Sequence, residues 1–360
     1  MSRLELAGIL SAADVRQTAA AIAEVQEPTG AIPWEPGGRT DPWDHVESAM
    51  GLDVGGLHDA AERAYRWLQR VQRDDGSWAA AYRGGAVEDP TADANFCAYP
   101  AVGVWHHFLA TGHRDFVADM WRTVQRALDF ALGLQAPGGE VWWALDPVAG
   151  RVWTAPLLAG NASMYHSLRC GLALSAVLGD PQPNWEVAVG RVGHALTAHP
   201  ERFDAKDRWA MDWYYPVLAG ALRAEPARRR IAERWDEFVV PGLGIRCVLD
   251  RPWVTGAETC ELALALDALG ARDRAATLVA WMQHLRAADG SYWTGYVYDD
   301  DEHWPLERST WTAAAVLLAV DALADRSATA GLFRGADLPA GFDASGFCHE
   351  AACAGLAVPS

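Results

Sequence analysis

Residues 289–293 (Asp-Gly-Ser-Tyr-Trp) and 304–311 (Trp-Pro-Leu-Glu-Arg-Ser-Thr-Trp) lead into an apolar run at 312–321, and this stretch indicates the fold. The run is apolar on every helical face, which is typical of a helix that is buried on all sides. The preceding segment 271–287 carries a single apolar stripe, which predicts an amphipathic helix in an outer layer. The repeating unit is therefore an outer helix, a turn rich in Gly and Trp, and an inner helix.

This unit recurs along the chain. Amphipathic segments alternate with apolar ones, and we expect inner helices to begin near residues 42, 93, 161, 209, 255 and 307. A long-period repeat of helix pairs predicts a solenoid or a closed array. Closure is favoured because an open stack would expose one inner face to water. The sequence predicts an all-α (α/α)6 toroid of six helical hairpins over residues 1–325, with all inner N-termini on one rim and a C-terminal cap or strap over 326–360.

Composition limits the classes of partner. The chain of 360 residues carries a formal net charge of −17, which disfavours nucleic acid and anionic membrane surfaces. Its start lacks the features of a signal peptide, and no stretch of about 18 uncharged apolar residues is present, so we expect a cytoplasmic protein without a membrane span. The 18 tryptophans suit stacking on sugar rings or packing against hydrocarbon.

The turn Gln-x-x-Asp-Gly-Ser-Trp at 72–78 has weaker relatives at 26–34, 135–142 and 286–293. It resembles the turn repeat of the terpenoid-cyclase and protein-prenyltransferase toroids. This resemblance implies the toroid and, as one alternative function, an enzyme that acts on an isoprenoid. The Asp-x-Asp-Asp acid of class II cyclases is matched only in part, by residues 299–302, and the zinc set of prenyltransferases is missing from matching inner helices.

The predicted architecture is also similar to that of the (α/α)6 glycoside hydrolases, including the glucoamylase-like and trehalase-like families. That resemblance implies acidic residues at inner-helix N-termini or in adjacent loops. Hydrolysis of a glycosidic bond needs one protonated carboxyl to protonate the leaving oxygen and one carboxylate to activate water. The candidate acids and bases are Asp44, Glu47, Asp212, Glu258, Glu261 and Glu307.

In a six-fold ring the first inner helix faces the fourth, so we expect Asp44 and Glu47 to face Asp212. By the same reasoning, Glu258 on the fifth helix is expected to face the second. An alternative for Glu258 is a capping box with Thr255, in which the carboxylate binds the backbone of the cap residue. The candidate substrate-binding residues are Trp43, His45, Asn95, Asn161, Trp213, Tyr214, Trp253, Trp304, Arg308 and Trp311.

We expect neither a cofactor nor a metal. The rim residues His45, His166 and Cys260 fall on three inner helices that are not adjacent, and His106-His107 is interpreted as a pair at a helix end. The tail sequence Cys348-His349-x-x-x-Cys353 lacks a second half for a zinc site. The favoured function is an enzyme that acts on a carbohydrate or glycoconjugate by inverting acid/base chemistry. The alternatives are an isoprenoid enzyme and a non-catalytic toroid that binds a small molecule or glycan.

Overall fold

The computed structural model describes residues 4–344. Most of these residues are helical, and two further single turns of 3-10 helix lie at Pro200–Arg202 and Met282–Leu285. The α-helices are α1 Ala12–Val25, α2 Pro42–Val54, α3 His58–Val71, α4 Ala94–Ala98, α5 Pro100–Thr111, α6 Arg114–Gly133, α7 Leu158–Leu178, α8 Pro183–Ala198, α9 Ala210–Leu218, α10 Ala224–Glu233, α11 Trp235–Phe238, α12 Gly256–Ala268, α13 Arg272–Trp281 and α14 Thr310–Ala324.

Six of these elements form a closed inner ring. Each contacts its neighbours in the order α2, α5, α7, α9, α12 and α14, and α14 returns to contact α2. All but one residue of α14 and of α12 are buried, as expected for helices that are apolar on every face. The outer helices α1, α3, α6, α8, α10 and α13 pack around the ring. The predicted all-α toroid is therefore confirmed.

The inner helices begin within about three residues of the predicted positions, although the second is interrupted. Its two parts, α4 and α5, meet at Tyr99-Pro100. Proline has no N–H to donate to the preceding turn, and its ring clashes with the carbonyl four residues earlier, so a continuous helix is disfavoured at this point. Pro100 instead occupies the first turn of α5, where a proline is tolerated.

The Gly-rich turns join neighbouring hairpins through one repeated contact. The side-chain amide of Gln72 donates to the carbonyl of Gly76 and to that of Thr123 on the next outer helix, both at 2.9 Å. Gln26 and Gln135 make the equivalent pairs of hydrogen bonds. Gly76 has φ +92°, and a Cβ there would collide with the carbonyl of Arg126, so the position requires glycine.

The loops on the rim contain small β-sheets in addition to the predicted helices. The largest has five antiparallel strands, none longer than three residues, in the spatial order Glu302–His303, Gly295–Val297, Trp253–Thr255, Gly244–Arg246 and Val239–Val240. It lies beside the N-termini of α12 and α14. The strands are β1 Ala81–Arg83, β2 Ala86–Asp89, β3 Ala92–Asp93, β4 Ala144–Asp146, β5 Arg151–Trp153, β6 Val239–Val240, β7 Gly244–Arg246, β8 Trp253–Thr255, β9 Gly295–Val297 and β10 Glu302–His303.

The segment after α14 crosses the C-terminal ends of the inner helices. Arg169 of α7 donates to the carbonyls of Gly335, Leu338 and Pro339, each at 2.8 Å. Arg334 binds Asp267 at the end of α12 at 2.7 Å. These contacts hold residues 334–339 at the end of the toroid opposite the rim. Assignment of 326–360 as a separate cap stays a prediction, and the Cys348-His349-Cys353 sequence lies outside the described residues. Among residues 4–344, no helix has the length and hydropathy to cross a bilayer.

Candidate active site

Five carboxyl groups gather at the rim around the N-termini of α2 and α12, and we call them the acid cluster: Asp41, Asp44, Glu47, Glu258 and Glu261. Asp41 is the N-cap of α2, and its Oδ1 accepts a hydrogen bond from the backbone N–H of Asp44 at 2.9 Å. The Asp44 residue is only partly buried. Burial of its carboxyl, followed by the neighbouring Asp41, raises the pKa of Asp44 well above its usual range. A carboxyl whose protonated form is favoured by its surroundings therefore lies at the rim.

Glu47 lies one turn deeper in α2 and is 1% exposed. Burial raises its pKa to about 8, although the nearby indole N–H groups of Trp311 and Trp43 act in the opposite direction. Within residues 4–344, Oε2 of Glu47 and Nε1 of both tryptophans have no hydrogen-bond partner. Buried polar atoms without partners are uncommon in folded proteins, and such atoms often mark functional positions.

Glu261 on the fifth inner helix binds two tyrosines of the fourth and lies near Glu47 of the first. The hydroxyl of Tyr214 donates to its Oε2, and the hydroxyl of Tyr215 donates to its Oε1 at 3.3 Å. Burial, and next the charge of Glu47, raise the pKa of Glu261 well above its usual range. The effect of Glu47 on Glu261 indicates that the two carboxyls are close to each other.

Glu258 lies one turn closer to the rim than Glu261 and is 5% exposed. The proposed capping box with Thr255 is not formed, because the Thr255 side chain makes no capping hydrogen bond and its Oγ1 has no partner in the described chain. Oε2 of Glu258 likewise has no partner there. The structural alternative for Glu258 was therefore wrong, and the carboxylate has an oxygen available to a ligand.

The two other predicted acids lie apart from this cluster. Asp212 accepts from the backbone N–H groups of Ala159 at 3.3 Å and Lys206 at 3.0 Å, which ties it to the start of α7. The expectation that it faces Asp44 and Glu47 was wrong, because unpaired N–H groups in the first turn of a helix attract a carboxylate. Glu307 precedes α14, in the loop, where its Oε1 accepts from the Thr294 hydroxyl at 3.4 Å.

A cavity of about 320 Å³ opens beside the acid cluster, between the second, third and fourth hairpins. Its wall is largely apolar, with few polar groups, as in many sites for small ligands. At its edge, the indole of Trp143 donates to Asp93 at 2.5 Å, and burial raises the pKa of Asp93 to about 6. The lining residues include Trp43, Asp93, Asn95, Phe96, Trp143, Asn161, Met164, Trp209, Met211 and Asp212.

Several predicted substrate-binding residues are close to these features. Trp43 lies between the cavity and the acid cluster, with its ring 5.6 Å from that of Tyr215. Trp311 lies beside Glu47, and Tyr214 binds Glu261. Asn95 lines the cavity, and its Oδ1 lacks a partner among the described residues.

Asn161 also lines the cavity, but its amide is already used. It binds both the N–H and the carbonyl of Val141, at 2.7 and 2.9 Å. This pairing holds the loop before α7 and leaves the side chain less free to contact a sugar.

Other predicted binding residues have contacts elsewhere. His45 is fully buried and binds the backbone of Ile32 and Ala64, and burial lowers its pKa to about 4. Trp213 stacks on Phe238 behind the inner ring, with a centroid distance of 5.2 Å. These two side chains therefore pack between layers of the fold and do not face the cavity.

The remaining three lie on the rim loops. Trp253 and Trp304 pack edge to face at 4.9 Å, and 53% of Trp304 is exposed. Arg308 is paired with Asp289 at 2.6 Å, so its charge is compensated at the surface. They border the mouth of the toroid rather than the acid cluster.

The sequence did not single out several residues that the structure brings to the site. Tyr215 follows Tyr214 directly, and the hydroxyls of both residues donate to Glu261. Trp143 and Trp209 line the cavity and are 36% and 43% exposed. A tandem of aromatic residues at an inner-helix start was the only sequence signal for the first pair.

Comparisons with known proteins agree with this arrangement. No family model matches the chain. The MMP endo-(1,4)-3-O-methyl-alpha-D-mannosidase of Mycolicibacterium hassiacum is 58% identical over 347 residues, which is 96% of this chain and 95% of that protein.

Solved structures support the fold alone. A wild-type glycosidase has a TM-score of 0.69 at 16% identity, over 91% of this chain and 97% of its own. A D-mannose isomerase has a TM-score of 0.64 at 11% identity, over 86% and 96%. These neighbours are glycosidases and sugar isomerases of the toroid type, and the comparisons do not support the resemblance to terpenoid cyclases. The chain therefore belongs to the family of the MMP endo-(1,4)-3-O-methyl-alpha-D-mannosidase and is a carbohydrate-active enzyme of the glycoside hydrolase type.

Proposed function

We propose that this protein hydrolyses internal (1,4) linkages between 3-O-methyl-α-D-mannose units, with inversion at the anomeric carbon. The proposal is based mainly on the 58% identity to the mannosidase across 96% of the chain. The acid cluster supplies groups suited to that reaction, and the cavity beside it supplies a largely apolar surface for sugar rings.

Asp44 is the general acid of this proposal. It lies at the rim and is partly exposed, so a glycosidic oxygen can reach it. Its pKa is raised by burial and by the adjacent Asp41, which favours the protonated form. A protonated carboxyl at this position can donate to the leaving oxygen as the bond breaks.

Glu258 is the general base. Its Oε2 has no partner among the described residues, so it can accept a proton from water. It lies on α12, which is separated from α2 in the ring by α14. Inverting enzymes place their two carboxyls about 6.5–9.5 Å apart to leave room for water, and carboxyls on non-adjacent helices suit that spacing.

Glu47 and Glu261 lie deeper between these two and act as positioning residues. Both are 1% exposed, and Glu261 is held by two tyrosine hydroxyls. A proton on Glu47 removes one negative charge from the deep part of the acid cluster. Removal of the Glu47 carboxyl is therefore expected to change the pKa of Asp44, because the charge of Glu47 is one cause of its rise.

The cavity is suited to a methylated sugar. Trp43, Trp143 and Trp209 present apolar ring surface, against which an O-methyl group packs more favourably than a hydroxyl. The free Oδ1 of Asn95 can accept a hydrogen bond from a remaining sugar hydroxyl. By contrast, a diphosphate would be repelled by the acid cluster, which disfavours the isoprenoid alternative.

The test is incubation of the purified full-length chain with a (1,4)-linked 3-O-methyl-α-D-mannooligosaccharide, followed by mass spectrometry of the products. We expect fragments of intermediate length at early times, and slower cleavage of the unmethylated oligosaccharide. Asp44→Asn and Glu258→Gln should each reduce the rate about 100-fold or more while retaining the circular dichroism of the wild type. No cleavage, or release of terminal monosaccharide alone, would contradict the proposal. Full activity of either variant would contradict the assignment of that residue.

A further inference from the structure

A second group of ionisable side chains lies at the end of the toroid opposite the acid cluster. It brings together Glu62 of α3, His107 near the end of α5, and His113 in the turn between α5 and α6. One potential ligand atom from each lies within 4.8 Å of the other two. Mixed imidazole and carboxylate ligands are typical of zinc sites in proteins.

His107 has the orientation of a metal-binding histidine. Its Nδ1 lies 3.0 Å from both carboxylate oxygens of Asp53, whose side chain is fully buried. A neutral imidazole that donates Nδ1–H to a carboxylate keeps its lone pair on Nε2, which is the usual second-shell arrangement of a metal ligand. Here Nε2 is buried and lacks a hydrogen-bond partner in the described chain. It is directed at Glu62, with Oε1 3.5 Å away.

The distances suit a tetrahedral ion. Bonds of about 2.0–2.1 Å in tetrahedral geometry place neighbouring ligand atoms about 3.3–3.4 Å apart. Oε1 of Glu62 lies 3.5 Å from Nε2 of His107 and 3.4 Å from Nδ1 of His113. The third separation, between the two histidine nitrogens, is within 4.8 Å. His113 is largely exposed, so its side chain can move to bring that separation to the tetrahedral value.

The surrounding surface provides access. Glu62 and His113 line a groove of about 590 Å³ that also contains Asp115 and Asp119. An ion can therefore reach the three ligands from solvent, and a water molecule can complete the coordination from the groove side. The buried side is closed by His107 and by Asp53 behind it.

We propose that Glu62, His107 and His113 form a zinc-binding site with Asp53 as its positioning residue. The sequence analysis interpreted His106-His107 as a pair at a helix end. It did not connect His107 with Glu62 of α3 or with His113 after the end of α5. The ion would connect α3, α5 and the following turn, which belong to two neighbouring hairpins. This location is remote from the acid cluster, so the ion would act on the stability of the toroid and not on the hydrolysis.

The test uses the full-length protein after dialysis against a chelator, titrated with Zn²⁺ alone by calorimetry. We expect one ion per chain and a higher melting temperature in its presence. Substitution by Co²⁺ should give the visible absorption of tetrahedral coordination. His113→Ala removes an exposed ligand without disturbing the core, and Glu62→Gln removes the shared oxygen. Each should weaken binding at least 10-fold, and Asp53→Asn should weaken it about 10- to 100-fold.

Asp115→Asn is the matched control, because Asp115 lies in the same groove but outside the ligand set. It should leave zinc affinity unchanged. That result would distinguish coordination by the three ligands from nonspecific binding of zinc to acidic side chains. The proposal is overturned if the wild type binds no more zinc than His113→Ala. It is also overturned if Glu62→Gln and His113→Ala bind as tightly as the wild type. Since hydrolytic activity is not the readout, the result does not depend on the proposed function.

Discussion

At the scale of single residues, burial raises the pKa of several rim carboxyls, as the proposed general acid requires. Glu47 illustrates the physical basis, because it has no positive partner among the described residues and its pKa rises to about 8 through burial. An acid whose pKa is raised in the folded state binds its proton more tightly when folded than when unfolded. Its contribution to stability is therefore complete below its ordinary pKa and is lost as the pH rises towards 8.

Glu47→Gln should make stability less dependent on pH. Below pH 4.5 the variant and the wild type should be similar, because both carry a neutral group at this position. Between pH 5 and 8 the variant should gain up to about 1.4 kcal/mol per pH unit relative to the wild type. Urea unfolding at several pH values measures this difference.

Glu24→Gln on the exposed surface of α1 is the control, and it should differ from the wild type by no more than about 0.5 kcal/mol at any pH. Parallel stability curves for Glu47→Gln and the wild type would show that Glu47 is ionised in the folded protein. That result would not count against a protonated Asp44, since a negative charge on Glu47 is one of the causes that raise the pKa of Asp44.

At the scale of elements, the turn between each outer and inner helix determines how the hairpins join. The glutamine of the turn binds the next outer helix, and the glycine lies against a carbonyl of that same helix. Gly30, Gly76 and Gly139 all have positive φ and no room for a Cβ. The turn repeat therefore encodes contacts between hairpins as well as the reversal of the chain.

Gly76→Ala is expected to destabilise the protein by about 3 kcal/mol or more, from left-handed backbone strain combined with overpacking. Gly84→Ala is the control, because Gly84 has φ +55° but no atom lies within 4 Å of the position that a Cβ would occupy there. That variant should cost only about 1–2 kcal/mol. Thermal unfolding of the two variants measures the difference. Equal losses would show that backbone conformation, and not the contact with α6, limits this position.

The sequence predicted elements better than it predicted the directions of side chains. The start of α2 was readable because Asp41-Pro42 combines an N-cap with a proline at the first position. The direction of Asp212 was not readable, since its carboxylate accepts from the N–H of Ala159 in α7, which is 53 residues away in sequence. For the same reason, the partners of His107 required knowledge of which elements are neighbours in space. The break at Pro100, by contrast, follows from the local effect of a proline and could have been predicted from the sequence.

At the scale of the whole molecule, the two ends of the toroid have different roles. The inner-helix N-termini carry the acid cluster, while residues 334–339 cover the opposite end through Arg169. Arg169 is 7% exposed, so its loss would leave three carbonyls without their donor. A cytoplasmic location stays a prediction from the sequence.

Arg169→Met is expected to destabilise the protein by about 3 kcal/mol or more, since each buried carbonyl left unpaired costs about 1–3 kcal/mol. Hydrogen exchange should also become faster in residues 333–342. Arg122→Met is the control, because Arg122 is exposed on α6 and its replacement should have little effect. Unchanged exchange in 333–342 would mean that contacts other than those of Arg169 hold the segment.

The proposed hydrolysis of an α-mannosidic bond by Asp44 and Glu258 proceeds with inversion at the anomeric carbon. Proton NMR of the anomeric signals tests this during the first minutes of reaction with a (1,4)-linked 3-O-methyl-α-D-mannooligosaccharide, before the products mutarotate. The newly formed reducing end should appear first as the β anomer, because water attacks from the face opposite the leaving group. Initial formation of the α anomer would contradict it, since that outcome requires a carboxylate nucleophile close to the acid and a covalent intermediate.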